Sequence, residues 1–171
     1  FAIAVAWSEF LLVFSTRRIA SNPAMALLGT AYFFMGLTDL LHTFAYKGMG
    51  VFPGEDTTNL ATQLWITARA IETLGLLAFA LLLSRRFRLR HAAVGFAGLA
   101  ALLYATIFWW EVFPTSFAEG TGLTPFKKGA EYAICIVLAG TILLLHRKRD
   151  QIAPDVLRLM TGAIALQSPL Q

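Results

Sequence analysis

The sequence is short of charge. Only 14% of its 171 residues are Asp, Glu, Lys or Arg, against about 25% in an ordinary soluble domain. Hydrophobic residues make up 57%, and the mean hydropathy of +0.65 suits lipid rather than water. The single cysteine, Cys135, excludes an internal disulfide and a thiolate metal cage, and in its apolar run it reads as a small buried side chain. A Gly-rich phosphate loop ending in Lys-Ser/Thr, an H-E-x-x-H pair, a nucleophile elbow and a Cys-pair motif are all missing. No catalytic centre is therefore expected. The first apolar segment has neither a basic n-region nor a small-residue cleavage site, so it does not read as a signal peptide. Low-complexity tracts and polar linkers are absent too, so a single domain is expected.

What the chain does have is repeated apolar runs. A bilayer core of roughly 30 Å takes about 20 apolar residues per helix. The sequence predicts spans at about 1–15, 24–46, 61–83, 92–112, 128–145 and 154–171. The expected fold is all-α, a multi-pass transmembrane helix bundle forming one integral-membrane domain over 1–171. Both ends, FAIAV and ALQSPLQ, lie in apolar segments and read as cuts through helices.

The charges that remain are sorted by loop. Arg17, Arg18, Arg85, Arg86, Arg88, Arg90, Arg147, Lys148 and Arg149 are nine of the fourteen basic residues, and they alternate with loops holding only Lys47, Lys127 and Lys128. Basic clusters between apolar runs mark membrane-flanking loops rather than a nucleic-acid surface, so the net charge of +4 implies no nucleic-acid partner. By the positive-inside rule the three clusters face the cytoplasm. The outer side then collects Asp39, Glu55, Asp56, Glu72, Glu111, Glu119 and Glu131. Two outer loops, YKGMGVFPGEDTTN and FPTSFAEGTGLTPFKKG, carry Gly and Pro breakers among aromatics and are expected to cap the helix ends. Trp109 and Trp110 fall near the outer boundary, as interfacial aromatics do.

Charged side chains at membrane depth cost about 2.5 kcal/mol and upward on insertion scales, so each needs a partner or a cavity. In the second span Tyr32, Met35, Asp39, His42 and Tyr46 share one helical stripe. In the third, Thr62, Trp65, Arg69, Glu72 and Leu76 do the same. Arg69 can pair with Glu72 along the helix and with Asp39 across to the neighbouring antiparallel helix. Glu131 and Cys135 form a shorter stripe in the fifth span, and Glu9 adds a carboxyl in the first. Three readings of Asp39 and His42 stay open: a metal or haem site, with Glu72 or Glu131 completing the ligands; a proton- or small-ligand-handling pair; or a polar clasp between helices. His91 and His146 lie among the basic clusters and read as solvated or headgroup-contacting.

The run GLTDLLHTFAYKGMGVFPGEDTTNLATQLWITARAIETL, with EGTGLTPFKKGAEY, resembles the third type of bacterial membrane-associated sensor (MASE) domains. Members of that family carry a GLLDLLHT-like stretch, a YKGMGVFP loop, an NLATQLWIAARYLE-like segment and a GLTPFK-x-x-SEY-like element. The likeness extends along nearly the whole chain. It departs at Gly129-Ala130, where the family tends to have Ser before Glu131-Tyr132, and at Ala70-Ile71, which replace an aromatic-aliphatic pair before Glu72. The family's upstream segment, with a further His and Glu, has no counterpart here. The resemblance implies weight on Asp39, His42, Lys47, Pro53, Trp65, Arg69, Glu72 and Glu131.

It also implies a sensory input module in the bacterial cytoplasmic (inner) membrane that joins a cytoplasmic histidine kinase or diguanylate cyclase (GGDEF) output, in two-component or related signalling. Such a module is not itself an enzyme and acts as a homodimer through the full-length protein. The resemblance names no stimulus; the expected signal is an unidentified small molecule or metal, reaching Asp39, His42, Tyr46, Lys47, Trp65, Arg69, Glu72 and Glu131 from the outer side. The competing class is a small-solute or proton-coupled transporter, since intramembrane Asp, His, Arg and Glu also mark such paths. Against it stand the lack of paired broken helices and of an inverted repeat.

Overall fold

Helix starts follow local chemistry. The Asn22 side chain accepts from the Ala24 amide at 2.9 Å, and Pro23 stands in the first turn of the helix that follows. A proline there forfeits only an N–H that has no helical partner. Thr124 and Pro125 repeat the device at the fifth helix, the threonine hydroxyl accepting from the Lys127 amide at 3.3 Å.

A computed structural model describes residues 2–16, 22–52, 57–85 and 87–166. In them the chain forms α1 (Ala2–Thr16), α2 (Pro23–Phe44), α3 (Thr57–Leu82), α4 (Leu89–Phe108), β1 (Phe117–Ala118), β2 (Gly122–Leu123), α5 (Pro125–Arg147) and α6 (Pro154–Leu166). The fold is the expected all-α membrane bundle. Four helices, α2, α3, α4 and α5, are long and apolar enough to cross a bilayer, and α1 is a shorter apolar helix.

The central helix is α3, the most buried of the long four, while α4 is the least buried. Its broadest packing is against α2. A small-residue contact lets the two backbones close: a Cβ on Gly75 of α3 would lie 2.4 Å from the Ala31 Cβ of α2. In lipid, where apolar surface alone does not drive helices together, such close approach supplies the van der Waals contact that does. On the other side of α2, Gly36 accepts the Trp7 ring of α1, which would stand 2.8 Å from an added Cβ.

The core runs the length of the bundle in three clusters. At one end Leu76, Phe79 and Ala80 of α3 meet Ile134, Leu138 and Leu145 of α5 and Ile164 of α6. Mid-bundle, Met35, Ala68 and Ile71 pack with Ala6 and Ala100. At the other end Ala45, Ala61, Leu64 and Ile107 are buried beneath Phe52, Phe108 and Phe113.

One expectation changes. The fourth helix stops at Phe108 rather than reaching 112. There the Trp110 amide turns back to the Ala105 carbonyl at 2.8 Å, the Val112 and Phe113 amides both reach the Thr106 carbonyl, and Glu111 takes φ 52°. Trp109 and Trp110 are left 78% and 59% exposed, placed for a membrane interface. The second long loop, expected to cap the helix ends, contains an antiparallel hairpin pairing Phe117 with Leu123 and Ala118 with Gly122. Gly120 at φ 89° and Gly122 at φ 77° allow its tight return. The Asn59 side chain on α3 fastens it, accepting from the Ser116 and Phe117 amides at 2.8 and 3.1 Å.

The shorter loop after α2 packs Phe52 on Phe108 with ring centroids 5.8 Å apart. Pro53, expected to fold this loop over the helix ends, lies outside the described residues, as do Arg17, Arg18, Glu55, Asp56 and Arg86.

Candidate functional site

Asp39 on α2 and Arg69 and Glu72 on α3 meet inside the bundle. Arg69 Nη2 donates to Asp39 Oδ2 at 3.0 Å, and Arg69 Nη1 donates to Glu72 Oε2 at 2.5 Å. Both carboxylates are almost wholly enclosed, with side chains 9% and 3% exposed, and the arginine side chain is 20% exposed. One guanidinium thus bridges two carboxylates on two helices, giving each its own terminal nitrogen. Its Nε is buried and finds no hydrogen-bond partner among the described residues.

One turn nearer the hairpin, the same two helices wall a cavity. His42 follows Asp39 by three residues and Trp65 precedes Arg69 by four, about 4.5 and 6 Å of helical rise. The His42 ring bonds through Nδ1 to the Ala61 carbonyl of α3 at 2.7 Å. A carbonyl only accepts, so Nδ1 carries the proton. Tyr46 lies just past the end of α2, its ring edge-on to His42 with centroids 6.4 Å apart. The cavity holds about 460 Å³ and is lined by His42, Tyr46, Lys47, Trp65, Phe117 and Lys127, among others.

Lys127 is the residue that sequence reasoning missed. In the sequence it is visible only as a loop charge, yet it stands in the first turn of α5, with Nζ 4.7 Å from the centroid of the Trp65 ring and paired to Glu131 one turn on. The signal that could have found it is the Thr124-Pro125 helix start, which puts Lys127 and Glu131 at i, i+4 on one face. A second unforeseen tie is buried beside Asp39. The Thr38 hydroxyl donates to the Phe34 carbonyl at 2.7 Å and therefore accepts from Tyr104 of α4, also at 2.7 Å.

The eight sequence-derived candidates thus fall into two layers. Asp39, Arg69 and Glu72 form the buried bridge. His42, Tyr46, Lys47 and Trp65 line the cavity, and Glu131 stands behind it through Lys127. As a metal site the trio His42, Asp39 and Glu72 does not hold together: among the described residues no group of three or more His, Cys, Asp or Glu is arranged around a metal position. The reason is geometric. Arg69 takes up an oxygen of each carboxylate, and His42 is turned to the Ala61 carbonyl instead.

At its opposite end α3 is held again. Lys148, which ends α5, donates from Nζ to the Ala80 and Leu81 carbonyls at 2.8 and 3.0 Å. A cation on the last carbonyls of α3 satisfies acceptors that lack helical donors and matches the helix dipole. Helix α5 therefore holds α3 at two places, Trp65 and the last turn.

Residues 1–168 match the family model of the membrane-associated sensor domain MASE3. The chain belongs to the MASE3 family. Comparison with curated proteins and with solved structures returns no match. As a MASE3 domain it is a membrane-associated sensor, and the four apolar helices place it in a membrane.

Proposed function

We propose that this MASE3 domain is the input half of a bacterial signalling protein in the cytoplasmic membrane. In this reading the hairpin end faces out, its cavity receives the signal, and the helices pass the change to a kinase- or cyclase-type cytoplasmic output. The observation that carries it is a shared pair of walls: α2 and α3, which flank the cavity, are the helices that Arg69 ties together one turn deeper. An occupant that moves Trp65 or His42 moves an element whose alternative packing is limited by that bridge. This is the kind of two-state helix contact that ligands bias. The grip of Lys127 and Lys148 gives α3 and α5 a common motion toward the far end.

Sidedness follows from charge. Arg85, Arg88, Arg90, Arg147, Lys148 and Arg149 all lie at the end away from the hairpin, the cytoplasmic end by the positive-inside rule. Outputs of the kinase and cyclase type act as dimers. Exposed apolar residues such as Ile136 and Leu143 on α5 offer a face to lipid or to a second copy.

The test uses the full-length protein in nanodiscs, with output activity measured for Trp65→Leu, Lys127→Gln and Arg69→Lys. Altered basal or stimulated output in variants that keep native helicity supports the sensor. Unchanged output in all three sinks it. The buried Asp39, Arg69 and Glu72 also suit a solute or proton path through the membrane. Proteoliposomes that accumulate solute or protons in a manner lost with Arg69→Ala would favour that transporter reading.

A further inference from the structure

We propose that the cavity at the hairpin end binds a small monocarboxylate with a flat apolar body, as a free solute. This rests on the cavity being the signal-receiving site and goes on to name what it receives.

The charge of the walls sets the sign of the ligand. Lys47 and Lys127 line the cavity, and no Asp or Glu is among its described lining residues. Two helix starts border it as well. Thr58 belongs to the first turn of α3 and Lys127 to the first turn of α5, so the positive ends of two helix dipoles add to the lysine charge. A metal cation meets repulsion there. Of the two lysines in the described lining, Lys127 already shares its charge with Glu131, which leaves less than two net positive charges and favours a single carboxylate over a polyanion.

The apolar walls set the shape. The rings of Tyr46, Trp65, Phe117 and His42 stand round the cavity with Leu123, and ring walls take flat groups by edge or offset contact. The volume, about 460 Å³, lies within the roughly 300–1,000 Å³ of small-molecule sites.

Lys127 supplies the response. Its ammonium has three donors, one directed to Glu131, with the Trp65 face beside it. A ligand carboxylate competes with Glu131 for that ammonium. Binding therefore loosens the tie that Lys127 makes along α5 and shifts its contact with Trp65 on α3.

The experiment is calorimetric titration of the full-length protein in phosphatidylcholine nanodiscs, with benzoate as probe and benzyl alcohol and benzylammonium as controls. Saturable benzoate binding is expected, weakened about tenfold or more by Lys127→Gln and by Lys47→Gln, as loss of a charge-assisted hydrogen bond implies. Glu131→Gln removes the competitor and is expected to tighten binding, a gain that a merely structural role for Glu131 would not produce. It also serves if Lys127→Gln does not fold. Absence of benzoate binding by a protein of native helicity overturns the proposal, as does equal binding of benzylammonium. Lysine-dependent binding of phosphatidylglycerol in place of benzoate overturns the free solute. If cavity variants change output while benzoate does not bind, the ligand class fails alone. If benzoate binds and output never responds, the sensor reading fails alone.

Discussion

Arg69 on α3 lies 3.0 Å from Asp39 on α2 and holds Glu72 with its other terminal nitrogen, so a single cation neutralises carboxylates on two helices. Removing the cation leaves both acids enclosed without it. Arg69→Ala is expected to destabilise the bundle by about 3–5 kcal/mol, the cost of breaking a buried ion pair from one side. Asp39→Asn is expected to cost less, because Glu72 still holds the guanidinium. Arg69→Lys keeps the charge but not the fork and is expected to fall between them. Thermal unfolding in nanodiscs followed by circular dichroism checks the order; equal midpoints for wild type and Arg69→Ala would contradict it.

The approach of α2 and α3 at Gly75 makes a compensating pair. Gly75→Ala sets two methyl groups 2.4 Å apart, and overpacking of this kind costs about 1–3 kcal/mol. Adding Ala31→Gly removes the clash, so the double variant is expected to regain most of that loss. A double-mutant cycle on thermal stability measures the coupling, and additive losses would show that the helices do not meet there.

The hairpin is fastened to α3 by the Asn59 side-chain oxygen. Asn59→Ala is expected to free the Ser116 and Phe117 amides without loosening the helices. Hydrogen exchange should then rise over residues 113–124 and stay unchanged in α2 and α3. Protection lost evenly over the whole chain would mean that Asn59 holds more than the hairpin.

Lys148 closes the far end of α3 on the Ala80 and Leu81 carbonyls. Lys148→Met retains the stem and deletes the donors. The expected loss is about 1.5–3 kcal/mol, the range for hydrogen bonds to a charged group. Faster exchange is expected in the last turn of α3 and the last turn of α5 together. A change confined to α5 would count against a grip on α3.

Much of the bridge is legible in the sequence. Asp39 lies in an apolar helix with no partner of its own, and Arg69 and Glu72 share a stripe on the next helix. An antiparallel connection brings the two stripes to similar depth. The cavity is less legible. His42 and Trp65 stand out by their spacing, but whether His42 turns to a ligand or to the Ala61 carbonyl depends on how closely α3 approaches, which no spacing in one helix encodes. Lys127 escapes notice because a lysine after a Gly- and Pro-rich loop looks solvated until the next helix starts beneath it. The bond from Tyr104 to Thr38 is hidden for a similar reason: a threonine in an apolar helix satisfies itself on its own backbone, and only tertiary contact adds a second partner.

The sequence by itself determined the class of molecule, the helices and the demand that buried charges be paired, because hydropathy, helical period and desolvation act on each segment locally. Tertiary structure decided which partners answer that demand. Arg69 spans two carboxylates, His42 is committed to a carbonyl, and Lys127 joins the cavity from α5, because those outcomes depend on distances between helices set by small contacts such as Gly75 against Ala31.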